Sequence, residues 1–203
     1  MKNMLKDTFK LFMITLFAGL ILSVVYEITK EPIAIQEEKT RQEAFAAVFE
    51  AGEQFESVEL NAETTEAALT EAGISGVTIE EAVLVLGNDG SLLGYCVTVT
   101  THEGYGGDIK LTVGIGADGT ISGISVLDIA ETPGLGMKAE SDLTPQFAGK
   151  NADKFEYTKT DATLENQVDA ISGATITTKA VTNAVNASLE LFHTVLLGGD
   201  GNE

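Results

Sequence analysis

The sequence predicts an α+β fold: one apolar N-terminal helix able to cross a membrane, then a single domain of antiparallel hairpins with flanking helices. Three observations carry this. Leu11 to Tyr26 (LFMITLFAGLILSVVY) holds no charged residue, apolar and polar residues alternate between Glu81 and Asp128, and helical spacing returns after Ile176. The 203 residues, 44% hydrophobic, can bury one substantial core but hardly two.

The apolar run follows Lys2, Lys6 and Lys10. It reads as a transmembrane helix over residues 11–28, with residues 1–10 in the cytoplasm by the positive-inside rule and the bulk of the chain outside. A cleavable signal peptide is the rival reading, but no A-x-A-like site follows the run and no Cys stands there for lipid attachment. Leu11 to Tyr26 carries no charged residue to suggest an ion path. Tyr26 is placed at the outer interface, and Pro32 is expected to interrupt or redirect the helix.

Residues 29–80 divide in two. Between Ile33 and Glu50, Ala44, Phe45, Val48 and Phe49 recur at helical spacing against a charged face, which predicts an amphipathic helix. Residues 51–78 are acidic and interrupted by glycine, which indicates a variable surface region with a short helix around Thr64 to Glu71.

Residues 81–197 form the expected globular domain, followed by a 198–203 tail. Leu111, Val113 and Ile115 alternate with Lys110, Thr112 and Gly114, the period of a half-buried strand. Asn88-Asp89-Gly90 and Ala117-Asp118-Gly119 sit between apolar runs and predict two tight hairpin turns. The surrounding segments, GNDGSLLGYCVTV and GADGTISGISVLD, resemble each other, and their Gly94 and Gly123 suggest matching bulges or close backbone approaches. Cys96 is the one cysteine, so disulfides and a multi-Cys metal site are excluded, and a buried structural thiol is expected.

Charge narrows the partners. The chain has 31 acidic and 12 basic residues; residues 1–10 hold three Lys and one Asp, leaving 30 acidic against nine basic elsewhere, −21. Such a body excludes nucleic acid as a partner.

Two loops are rich in glycine: His102-Glu103-Gly104-Tyr105-Gly106-Gly107, and Glu131-Thr132-Pro133-Gly134-Leu135-Gly136-Met137-Lys138. Glycines let backbone approach a flat ligand closely, and Tyr105, Leu135 and Met137 offer apolar contact, although plain connections have the same composition. The segment DAISGATITT, Asp169 to Thr178, then leads into a helix whose apolar face is Val181, Val185, Leu189 and Phe192. Ser172-Gly173-Ala174-Thr175 therefore lies at a helix N-terminus, where N–H groups and the dipole favour an anion; simple N-capping is the alternative. Nucleophilic catalysis is poorly served. His102 and His193 are the only histidines, and His193 stands roughly 27 Å from Thr175 along a straight helix. No P-loop Lys follows the glycine. No catalytic or metal residues are assigned.

Asp169-Ala170-Ile171-Ser172-Gly173-Ala174-Thr175 resembles the D-x-x-(S/T)-G-A-T signature of FMN-binding domains. With the anchor, the loop ETPGLGMK and the C-terminal helix, the layout is similar to the G-subunit family of the Rnf-type ion-translocating electron-transport complex. The C subunit of the Na⁺-pumping NADH:quinone reductase shares much of this pattern but is usually longer. The resemblance implies an extracytoplasmic FMN-binding domain with FMN held by a phosphoester to Thr175. Asp169, Ser172, Gly173, Ala174 and Thr178 surround that attachment, and Lys179 supports the phosphate. Tyr105, Thr132, Gly134, Leu135, Gly136 and Met137 are expected at the isoalloxazine. It also implies an extracytoplasmic flavin transferase that reads Asp169, the other subunits of the complex and membrane lipid as partners, and electron flow between ferredoxin and NAD⁺ that drives Na⁺ or H⁺ outward. Such a protein turns over no substrate alone. Alternatives are a stand-alone anchored flavoprotein for extracellular electron transfer and a component like the C subunit of the Na⁺-pumping NADH:quinone reductase.

Overall fold

A computed structural model describes residues 2–197, so the 198–203 tail lies outside the described residues. The chain divides into two compact units, residues 1–42 and 43–203.

Helix α1 runs Lys2–Val48 with Pro32 inside it. The expected interruption at Pro32 does not occur. A proline removes one hydrogen bond, a local cost of about 3 kcal/mol, whereas its flanks are good helix formers; Glu38 and Arg41, for instance, form an i,i+3 pair at 2.7 Å. Among the described residues one helix, bearing the apolar run, is long and apolar enough to cross a membrane.

In the second unit, Ala44, Phe45, Val48 and Phe49 are buried. After β1 (Gln54–Val58) and α2 (Ala62–Glu71) come β2 (Val77–Leu86), β3 (Leu92–Thr101), β4 (Ile109–Gly116) and β5 (Ile121–Ile129). Asn61 caps α2, its Oδ1 accepting from the Glu63 N–H at 2.9 Å. The 51–78 segment, expected as variable surface, thus contains a strand. β1 is short, and its alternation is masked because most of its residues are exposed.

The five strands form one sheet in sequence order, every neighbour antiparallel. Both predicted turns close β2–β3 and β4–β5 and match bond for bond. Gly90 and Gly119 take φ of +77° and +84°. Asp89 Oδ1 accepts the Ser91 N–H at 3.1 Å, and Asp118 Oδ1 accepts the Thr120 N–H at 2.9 Å. The register shifts beside Gly94 and beside Gly123, so both glycines adjoin bulges.

The alternation of β3 divides the core. Tyr95, Val97 and Val99 join the cluster that includes α3 (Thr175–Leu191), while Cys96 joins Phe45, Val48 and Phe49 on the opposite face. Glycines make that second face flat. A Cβ on Gly114 would stand 2.9 Å from Val48 Cβ, and one on Gly94 would stand 2.8 Å from Phe49 Cζ. The chain from β5 passes through short helical turns between Gly136 and Gln146. It then forms the parallel pair β6 (Glu156–Thr158) and β7 (Gln167–Asp169), and β7 delivers the chain to α3.

Candidate functional site

The DAISGAT segment leaves β7 at Asp169 and enters α3 at Thr175. Gly173 takes φ +78°, in the left-handed region open to glycine. The Ala174 N–H donates to the Ile171 carbonyl at 3.0 Å and closes the turn. Thr178, one turn into the helix, fastens it from the other side: its Oγ1 accepts the Ile171 N–H at 3.1 Å and donates to the Ala174 carbonyl at 2.9 Å.

The N-cap position is Ala174, and no side chain caps the helix. Simple capping by Ser172 or Thr175 is therefore not what this cluster does. The first helical bond runs from the Thr178 N–H to the Ala174 carbonyl at 3.0 Å. The N–H groups of Thr175, Ile176 and Thr177 consequently have no intrahelical acceptor, and with the positive dipole end they form an anion-receptive site.

A cavity of about 500 Å³ opens at this helix start. The two glycine-rich loops form one wall through Tyr105, Glu131, Thr132, Leu135 and Gly136; the motif forms the other through Gly173, Ala174, Thr175, Ile176 and Thr177. Seven of the residues expected from the sequence meet here: Tyr105, Thr132, Leu135, Gly136, Gly173, Ala174 and Thr175. The glycines are required by close approach. A Cβ on Gly106 would fall 2.2 Å from the Ala130 carbonyl oxygen, and one on Gly136 would fall 2.7 Å from both Glu131 Oε2 and Thr177 Oγ1.

Other expected residues stand outside the lining. Gly134, at φ +76°, shapes the turn in which the Leu135 N–H donates to the Thr132 carbonyl at 3.1 Å. Met137 is exposed beyond it. Asp169 Oδ1 accepts the Ala162 N–H at 2.6 Å, and the Asp169 N–H donates to Gln146 Oε1 at 2.7 Å, so this carboxylate anchors the preceding loop. Ser172 is exposed and Thr178 is fully buried. Lys179, expected at the phosphate, instead pairs with Glu103 at 3.0 Å.

Glu131, Ile176 and Thr177 also line the cavity, although the sequence pattern does not mark them as site residues. A lone Glu gives no signal in a chain with 31 acidic residues. Ile176 does give one: at 100° per residue it falls opposite the Val181, Val185, Leu189 and Phe192 stripe, and it is 52% exposed at the cavity. An apolar side chain on the polar side of a helix marks a contact that the core does not explain.

The arrangement suits a ligand with a flat apolar part and an anionic end. Leu135, Ile176 and Tyr105 offer apolar surface, while the uncapped helix start receives the anion. FMN has both features, and the volume is in the range of cofactor pockets.

A family model described as an FMN-binding domain matches residues 104–190, a range that contains most of the first glycine-rich loop, all of the second and the motif. The G subunit of the Na⁺-translocating ferredoxin:NAD⁺ oxidoreductase complex of Acetobacterium woodii is 34% identical over 184 residues, 90% of this chain and 88% of that protein. The G subunit of the ion-translocating oxidoreductase complex of Aliivibrio fischeri is 27% identical over 198 residues, 95% of this chain and 91% of the relative. Among solved structures, NqrC of Shewanella oneidensis superposes with a TM-score of 0.50 at 25% identity, covering 60% of this chain and 61% of its own. With 34% identity sustained over nine-tenths of its length, the chain belongs to the G-subunit family of Rnf-type ion-translocating oxidoreductase complexes.

Proposed function

We propose that the protein is a membrane-anchored electron carrier of a redox-driven ion-translocating complex, with FMN joined through its phosphate to Thr175 Oγ1. The observation that carries this reading is the convergence, at one cavity, of both glycine-rich loops with an uncapped helix start whose first residue is Thr175. Thr175 is half-exposed, while Thr177 and Thr178 are buried, which supports Thr175 as the hydroxyl that a modifying enzyme reaches. Gly173 and Ala174 leave room beside it.

FMN held there would supply single-electron carriage, and a covalent link keeps the carrier from being lost outside the cytoplasm. The chain's own residues would hold the phosphate at the α3 N-terminus and shelter the ring between Leu135, Ile176 and Tyr105. The larger setting comes by kinship: electrons pass between ferredoxin and NAD⁺ while Na⁺ or H⁺ moves outward, with residues 1–10 cytoplasmic and the domain outside. Other subunits of the complex, a flavin transferase and lipid around α1 are the partners, and the protein alone turns over no substrate.

The test is the intact mass and visible spectrum of the protein produced together with a flavin transferase. One FMN per chain, mapped to Thr175 by peptide mass spectrometry and absent from Thr175→Ala, is the expected result. FMN on another residue, or colour retained by Thr175→Ala after denaturing electrophoresis, would remove the assignment. Co-purification with multi-span subunits separates the complex from a stand-alone flavoprotein.

A further inference from the structure

Glu131 is the least expected member of the cavity wall. It is 5% exposed, and its Oε1 accepts the Tyr105 N–H at 2.7 Å. Among the described residues it forms no ion pair: the salt bridges of this domain join His102 to Asp108, Lys110 to Glu80 and Lys179 to Glu103. A buried carboxylate without a cation is costly to keep, so its retention against a cavity calls for a role beyond packing.

Its position is fixed from several sides. The Tyr105 bond ties the carboxylate to the first glycine-rich loop, while its own backbone begins the second. Oε1 lies 3.0 Å from where a Gly104 Cβ would stand, and Oε2 lies 2.7 Å from that of Gly136. Both glycines thus leave the space that the carboxylate occupies. Among the described residues Oε1 alone of its two oxygens accepts a hydrogen bond, and Glu131 lines the cavity.

We propose that Glu131 sets the reduction potential of the flavin bound in this cavity by placing a fixed negative charge beside it. The proposal rests on the reading of the cavity as a flavin site. An electron arriving from a donor carrier adds negative charge to the ring. A weakly screened carboxylate opposes that charge more than it affects the oxidised form, and so lowers the potential. The carboxylate is neither consumed nor reduced; the electron leaves for the next carrier. The Tyr105 N–H keeps the charge at one distance and makes the effect uniform from molecule to molecule.

Spectroelectrochemical titration of the FMN-loaded full-length protein tests this. Glu131→Gln keeps an oxygen acceptor for the Tyr105 N–H and removes the charge. It should favour the reduced flavin about tenfold, an upward shift of about 59 mV for one electron. Glu140→Gln, an exposed carboxylate outside the lining, should leave the potential unchanged. Glu131→Asp, which keeps the charge but draws it back by one methylene, is a second arm that decides the matter should Glu131→Gln fail to load FMN; it should raise the potential by a smaller amount. An unchanged potential in Glu131→Gln, or in Glu131→Asp where the Gln variant does not load FMN, or an equal shift in Glu140→Gln, would overturn the role of Glu131. Wild-type protein without FMN would instead remove the flavin reading itself.

Discussion

Three threonines within four positions have different circumstances that composition cannot separate. Thr178 is fully buried and makes two hydrogen bonds that hold the motif turn, Thr177 is buried against the cavity, and Thr175 is half-exposed at the helix start. Thr178→Val should therefore leave the Ile171 N–H without an acceptor and lower stability by about 1–3 kcal/mol, read from thermal unfolding. Thr175→Ala should melt close to the unmodified wild type, because among the described residues no hydrogen bond engages its hydroxyl. Cys96 shows burial acting on chemistry. Desolvation, with a smaller contribution from Glu81, pushes its thiol up to about 12. The thiolate is the reactive form, so the folded protein at pH 8 should resist iodoacetamide while the unfolded chain is labelled readily. Rapid labelling of the native state would contradict the packing beneath Phe45, Val48 and Phe49.

At the scale of elements, what is legible in the sequence follows from local rules. The two Asp-Gly turns need positive φ, the strands keep period two, and α3 keeps one apolar face, so each is visible in a short window of sequence. What is hidden depends on distant partners. β1 gains its identity by pairing with β2, and Glu131 gains its place from a loop 26 positions away. Gly94 and Gly114 are visible as glycines, but their use as a floor beneath Val48 and Phe49 is not. Gly94→Ala would place its Cβ 2.2 Å from the Ile115 carbonyl oxygen, and should cost about 1–3 kcal/mol in thermal or urea unfolding. The ion pair between β2 and β4 also predicts an acid response. Burial raises the Glu80 carboxyl, but hydrogen bonds from Lys110 and Thr100 outweigh it and hold the group below the usual carboxylate range. A depressed folded value stabilises above the ordinary Glu titration range, and that stability is lost as pH falls through the folded value. Glu80→Gln should therefore flatten the acid limb of the stability profile, and an unchanged limb would show that the Lys110 pair contributes nothing.

For the molecule as a whole, the order of parts along the chain is readable from the sequence, but one junction is not: Pro32 reads as a break, whereas a long helix can absorb a single lost bond. Topology is open to direct test: protease added to intact cells should digest the globular domain and spare Lys2, Lys6 and Lys10, and a protected domain would place it on the wrong side for an extracytoplasmic transferase. The uncapped start of α3 has a consequence for the protein's life history. The N–H groups of Thr175, Ile176 and Thr177 leave synthesis with no acceptor from their own helix, and a phosphodiester on Thr175 would bring one within reach. Amide hydrogens at these three positions should then exchange more slowly in the flavinylated form, and that form should melt at a higher temperature; identical exchange and melting would show that solvent already serves the helix end. Flavin attachment at Thr175 would then stabilise the chain after folding, and the unmodified form would be the easier of the two to unfold and to clear.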